Sequence, residues 1–150
     1  MYKKSTVLIT GASSGIGYEL AKIFGENKDA LILVARNSEK LLLLKKEFES
    51  QESCKVYIIN KDLSEAGSAA AIFKEVNSLG MQVDILINNA GAGYVGEFCE
   101  CSATKIEAIM TLNMTSLTEL TYEFAKEMKR RRRGKILNVA STGSYHPGAY

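Results

Sequence analysis

Eight residues near the start of the chain, "TGASSGIG" (10–17), concentrate the types that bind phosphate. They follow the apolar run "TVLIT" and precede a segment of helical period, so they read as a tight strand-to-helix turn. Gly11, Gly15 and Gly17 remove side chains where backbone must bend or come close to a neighbour. A helix starting here presents unpaired N–H groups and the positive end of its dipole, both suited to a phosphate. Ser13 and Ser14 add hydroxyl donors, and Ile16 completes the binding set. The spacing Gly-x-x-x-Gly-x-Gly differs from the common dinucleotide fingerprint, and glycines alone can serve a turn. Strand before and helix after is the context that favours phosphate.

The elements that must hold this turn are visible as alternating patterns. "TVLIT" (6–10), "ALILVA" (30–35), "KVYIIN" (55–60), "VDILINN" (83–89) and "KILNVAS" (135–141) are short runs rich in Val, Ile and Leu. They are continuous rather than every-other-residue, which predicts strands covered on both faces. Between them the period becomes helical. Ile16, Leu20, Ile23 and Phe24 mark one face of a first helix, and Leu41, Leu44 and Phe48 mark a second, with Ser38 as its N-cap. The "LLLL" at 41–44 divides between the sheet and the flanking charged surface. Ala69, Ile72, Phe73 and Val76 mark a third helix. A long seam over 103–132 repeats Ile106, Ile109, Asn113, Leu117, Leu120, Phe124 and Met128, with an interruption expected near Thr111 to Asn113. Strand–helix alternation of this kind implies right-handed crossovers and a doubly wound parallel sheet, an α/β fold.

Two further features join the glycine turn: "NNAG" at 88–91 and Ser141 at the end of the fifth run. Together, and in this order along the whole chain, they resemble the short-chain dehydrogenase/reductase family. The resemblance implies a Rossmann-type sheet, a nicotinamide cofactor, and hydride transfer to or from a carbonyl or alcohol carbon. It also implies a small-molecule substrate and a homo-oligomer built through the long helix. Asn89, Ala90 and Gly91 then fall beside the cofactor, while Asn88 takes a structural part. Asp62, in "KDLS", resembles the aspartate that accepts from the adenine amino group, with Leu63 giving a backbone contact. Asp62 or Ser64 also has the alternative of capping the next helix.

The second run ends "LVARN", where an NAD-preferring site carries a carboxylate for the ribose hydroxyls. Here Ala35 and Arg36 stand instead. A guanidinium can bind a 2′-phosphate through paired, charge-assisted hydrogen bonds, whereas a carboxylate repels it. The expectation is NADP, with NAD less favoured; a solvated strand-end arginine is the plain alternative.

Hydride transfer to a carbonyl builds negative charge on oxygen, so a donor must face that oxygen and a proton source must lie nearby. The resemblance gives Ser141 the orienting hydroxyl and Asn113 a place in the proton relay. Turn residue and satisfied amide are their respective alternatives. The family's Tyr-x-x-x-Lys pair begins about a dozen residues after the serine. Tyr145 and Tyr150 come earlier, and no lysine follows Lys135. An unassisted tyrosine near its free pKa of about 10 stays protonated. Residues 1–150 are therefore expected to form an incomplete Rossmann domain, truncated after the fifth strand. Its catalytic and substrate-binding part is absent and its last strand edge uncovered. A non-catalytic nucleotide-binding module is the rival reading.

Composition limits the rest. At 46% hydrophobic and 24% charged, the chain is of ordinary globular type, and a net charge of +2 argues for no polyanion. "KRRRR" (129–133) complements the negative end of the long helix, with Gly134 placed to terminate it, so no nucleic-acid partner is expected. Membrane spanning needs about 18–20 apolar residues in a row, a run not found here. Cys54, Cys99 and Cys101 read as free thiols in a cytoplasmic setting. "CEC" has no second Cys/His cluster to complete a metal site.

Overall fold

The computed structural model describes residues 4–27, 29–50 and 54–145. Its strands are β1 (Thr6–Thr10), β2 (Ala30–Ala35), β3 (Val56–Asn60), β4 (Ile85–Asn88) and β5 (Lys135–Asn138). They form one parallel sheet in the order β3-β2-β1-β4-β5. The apolar runs of β1 to β4 are continuous because each of these strands feeds two cores; β5, expected to be covered on both faces, is an edge strand that enters neither. In β1, Val7 and Ile9 point to one layer and Leu8 to the other.

The first layer is made by α1 (Gly15–Glu26) and α2 (Ser38–Ser50). The face of α1 differs from the sequence reading. Gly17, Ala21 and Gly25 are buried, while Ile16 and Ile23 are 60% and 52% exposed. Small side chains let the helix lie close on β1 and β2, with Leu20 and Phe24 filling the flanks. In α2, Leu41, Leu44 and Phe48 are buried, and Leu42 and Leu43 face solvent, as the charged surroundings suggest. Its cap is Asn37, not Ser38: Asn37 Oδ1 accepts from Lys40 N at 2.9 Å, and Ser38 is already helical. Tyr18 stacks on Phe48 and donates to Glu47 Oε1, joining the two helices.

The second layer holds α3 (Ser68–Ser78), α4 (Ala103–Met110) and α5 (Leu117–Arg131). Ala69, Ile72 and Val76 are buried, and Phe73 meets Phe124 edge-on at 5.1 Å. The expected interruption of the long helix is a π-turn at Thr111–Ser116. Its i→i+5 bonding adds a residue per turn and shifts the seam. Ser116, Leu120, Phe124 and Met128 are therefore buried, whereas Asn113 is exposed rather than on the apolar line. Helix α5 ends at Arg132, left-handed at φ 53°, two residues before the glycine expected to stop it. Gly134 instead makes room for Met128, whose side chain a Cβ there would strike.

Two residues of the basic run are structural. Arg131 and Arg133 meet Asp84 Oδ1 at 3.3 and 3.2 Å, and Arg131 donates to Val83 O at 2.6 Å. This cluster pins the end of α5 to the start of β4, at the edge of the sheet remote from the glycine turn. Strand β5 stops at Asn138, shorter than the run to Ser141, although Val139 N still donates to Asn88 O at 2.9 Å. All four β5 residues are exposed. Among the described residues, no helix is long and apolar enough to cross a membrane.

Candidate functional site

The carboxyl ends of β1 to β4 converge on a cleft of about 430 Å³. Ligands of open parallel sheets bind at this edge, where successive crossovers leave on opposite faces. Gly11, Ser13, Ser14, Arg36, Asp62, Leu63, Asn89, Ala90 and Gly91 all line it, as the sequence reading groups them. Val34, Ala35, Asn37, Lys40, Lys61 and Leu112 complete its wall.

The glycine turn carries three different constraints. Gly11 has φ +65°, and a Cβ on it would sit 2.9 Å from Ala90 Cα. Gly15 has φ +55° with open space around it. Gly17 lies where a Cβ would run into the Gly11 carbonyl and the Asn89 amide. Gly15, Ile16 and Gly17 sit at the start of α1 rather than on the cleft wall. Gly15 and Ile16 are exposed, and Gly17 is buried behind them. Ser14, the α1 N-cap, is extended and makes no capping hydrogen bond with its side chain, leaving the hydroxyl available.

Thr10 organises the next loop, a role that nothing in its type or spacing announces. Its buried hydroxyl donates to Ile87 O and accepts from both Asn89 N and Ala90 N at 3.0 Å. Asn89 Nδ2 returns donors to Thr10 O and Gly11 O at 3.0 and 3.2 Å. Strand β4 is thereby locked to the glycine turn. Asn88 takes the structural part expected of it. It is buried, and its amide reaches Thr121 Oγ1 and Asn138 Oδ1, both at 2.9 Å.

On the other side of the cleft, Arg36 reaches Asp62 Oδ2 at 3.6 Å, with the arginine side chain 72% exposed. Asp62 Oδ1 accepts from Ser64 N and Ser64 Oγ at 2.9 and 2.7 Å. Partial burial pushes this carboxyl up. The Ser64 hydrogen bonds and the Arg36 charge outweigh it, so the group rests below its ordinary value. Neither Asp62 nor Ser64 caps α3, whose N-cap is Gly67. The pair closes a local turn instead. Ser116, buried in the π-turn, donates to Leu63 O at 2.7 Å and holds the same loop.

The residues expected to act on substrate stand off the cleft wall. Asn113 grips the loop after β4 with both ends of its amide. Oδ1 accepts from Ala92 N at 3.0 Å, and Nδ2 donates to Ala92 O at 2.8 Å. Ser141 lies three residues beyond β5, exposed, and its hydroxyl accepts from Gly143 N at 3.1 Å. Tyr145 is 82% exposed; Tyr150 lies outside the described residues.

The model for short chain dehydrogenases matches residues 5–150. The chain belongs to the short-chain dehydrogenase/reductase family. It is 32% identical over 144 residues to dehydrogenase/reductase SDR family member 7B of Bos taurus, covering 93% of this chain and 44% of that protein. The bulky-bulky ketone specific alcohol dehydrogenase from Comamonas testosteroni superposes with a TM-score of 0.90 at 31% identity, over 97% of this chain and 58% of that one. A short-chain dehydrogenase from Sphingobium yanoikuyae, solved in complex with NADPH, gives 0.89 at 36% identity, over 95% and 56%. The chain thus spans about half the length of the short-chain dehydrogenases it matches. The doubly wound sheet inferred from the runs is the family's fold.

The cleft fits a dinucleotide on its own chemistry. Open space beside a left-handed glycine, a free serine hydroxyl and a helix start offer donors to phosphates, and three cations face one carboxylate along the wall.

Proposed function

We propose that the chain forms the nucleotide-holding part of an NADP-dependent oxidoreductase acting between a carbonyl and an alcohol carbon. One observation carries the choice of cofactor. The end of β2 carries Ala35, Arg36 and Asn37 and no carboxylate of its own, and Lys40 and Lys61 face the same cleft. Against these three cations stands only Asp62, already partnered by Ser64 and Arg36. A 2′-phosphate is favoured in such a field and a bare ribose gains little from it. The bound NADPH of the Sphingobium relative supports the same choice.

When bound, NADP supplies or accepts the hydride. The glycine turn and Ser14 hold phosphate, Asp62 and Leu63 receive the adenine end, and Asn89, Ala90 and Gly91 flank the nicotinamide side. Asn113 keeps the loop after β4 in place through Ala92, and the family resemblance gives it a place in the proton relay. Ser141 offers its hydroxyl to the substrate oxygen. Within these 150 residues no lysine stands four places after a tyrosine near Ser141. Such a chain by itself is expected to turn over carbonyl substrates negligibly.

The same reading assigns a homo-oligomer to the full protein. The outer surface of the long helix supports it, with Met110, Met114 and Tyr122 all more than half exposed. The cytoplasm is its proposed location, in keeping with Cys54, Cys99 and Cys101 all being free. Fluorescence titration of Arg36→Ala tests the cofactor choice. NADPH binding is expected to weaken about tenfold or more while NADH binding barely changes, the loss of a charge-assisted contact being worth about 1.5–3 kcal/mol. An unchanged NADPH affinity would reject it.

A further inference from the structure

We infer that Asn60 is a positioning residue for recognition of the 2′-phosphate, acting through the backbone of Arg36. The inference rests on the NADP reading. Asn60 is the last residue of β3 and stands in register with Ala35, the last of β2. Beyond this pair the sheet ladder ends, and the chain at Arg36 turns away toward α2. Its peptide needs another anchor. The two amide hydrogens of Asn60 supply it, one donated to Ala35 O at 3.2 Å and the other to Arg36 O at 2.7 Å. Lys61 N adds a third donor, also to Ala35 O, at 3.2 Å.

This anchor governs how Arg36 and its neighbours reach the cleft. The Arg36 side chain is largely in solvent and its ion-pair partner among the described residues is Asp62, at 3.6 Å, so its direction depends on the peptide it leaves from. Asn37, next in the chain, caps α2 through Lys40 N. The Asn60 carboxamide therefore fixes the peptide from which Arg36 reaches toward the cleft. Without it the guanidinium is presented over a wider range of directions, and binding must pay for ordering it. A dinucleotide lacking the 2′-phosphate has no charge there for the guanidinium to meet, so its binding is expected to be insensitive to that ordering.

A merely structural asparagine would behave differently, because loosening the sheet edge affects both dinucleotides alike. Titration of NADPH and NADH into the wild-type chain, Asn60→Ala, Arg36→Ala and the double variant separates the cases. Asn60→Ala is expected to reduce the preference for NADPH about 3- to 10-fold, the net worth of one hydrogen bond, with the NADH dissociation constant unchanged. The double variant should lose no more preference than Arg36→Ala alone, since Asn60 works through that residue. Equal weakening of both dinucleotides, no change in either, or additive losses in the double variant would each overturn the inference. Asn60→Thr, which suits a strand and lacks the paired donors, carries the same expectation if Asn60→Ala does not fold. Should Arg36→Ala itself spare NADPH, the NADP reading fails, and that result is distinct from a failure of Asn60 alone.

Discussion

Arg36 and Asp62 show what a single residue type reveals and what it conceals. A guanidinium at the end of the second apolar run is legible, because it stands where an NAD-preferring site carries a carboxylate. Its contact with Asp62 is not, since the two lie on different strands and only the register of β2 against β3 brings them together. Their pairing has a pH signature. The Asp62 carboxyl sits below its ordinary 3.8, so its stabilising effect is complete above that value and fades as pH falls through the lower folded value. Unfolding of wild type and Asp62→Asn at pH 7 and near pH 3 should show a wild-type advantage that shrinks on acidification. The advantage should stay below about 1 kcal/mol because the pair is solvent-screened. Gly17 is the stricter case. A methyl there meets the Gly11 carbonyl of the glycine turn as well as the Asn89 amide that is hydrogen-bonded to it. Gly17→Ala should destabilise by about 1–3 kcal/mol in denaturant titration and weaken dinucleotide binding with it.

At the scale of elements, every strand and helix that positions the cleft can be read from runs and periods. Their edges cannot. Asn37 and Ser38 are both cap formers, and only the geometry of the first turn of α2 chooses Asn37. Periodicity misreads the face of α1 because it weighs large apolar side chains. Close approach of helix to sheet instead selects Gly17, Ala21 and Gly25. The π-turn is legible as a break but not as a register shift, so Asn113 leaves the apolar seam to bind Ala92. Thr10 gives no signal at all, being one more β-branched residue in a strand. Yet its hydroxyl fixes the loop carrying Asn89 and Ala90. Thr10→Val keeps the shape and strands two N–H groups. A loss of about 1–3 kcal/mol in thermal or chemical unfolding is expected, together with weaker binding of NADPH and NADH alike. A variant as stable as wild type would remove Thr10 from that role.

For the molecule as a whole, alternation of runs is enough to place five parallel strands between two helical layers. The cleft derives from that topology, because the loops that leave β1, β2, β3 and β4 all emerge at one edge. Charge divides the same way. The Asp84, Arg131 and Arg133 cluster closes the far edge, while the cleft edge keeps Arg36, Lys40 and Lys61 turned toward a ligand. Ser141, three residues beyond β5, stays exposed beside a sheet edge whose four residues all face solvent. Binding can be asked of these 150 residues directly. Isothermal calorimetry of the folded chain, with NADPH and NADH titrated separately, is the most direct test. Saturable heat from NADPH with a clearly weaker response to NADH is the expected result. A sample that unfolds cooperatively yet gives no heat with either dinucleotide would contradict the phosphate-binding turn, and the function built upon it.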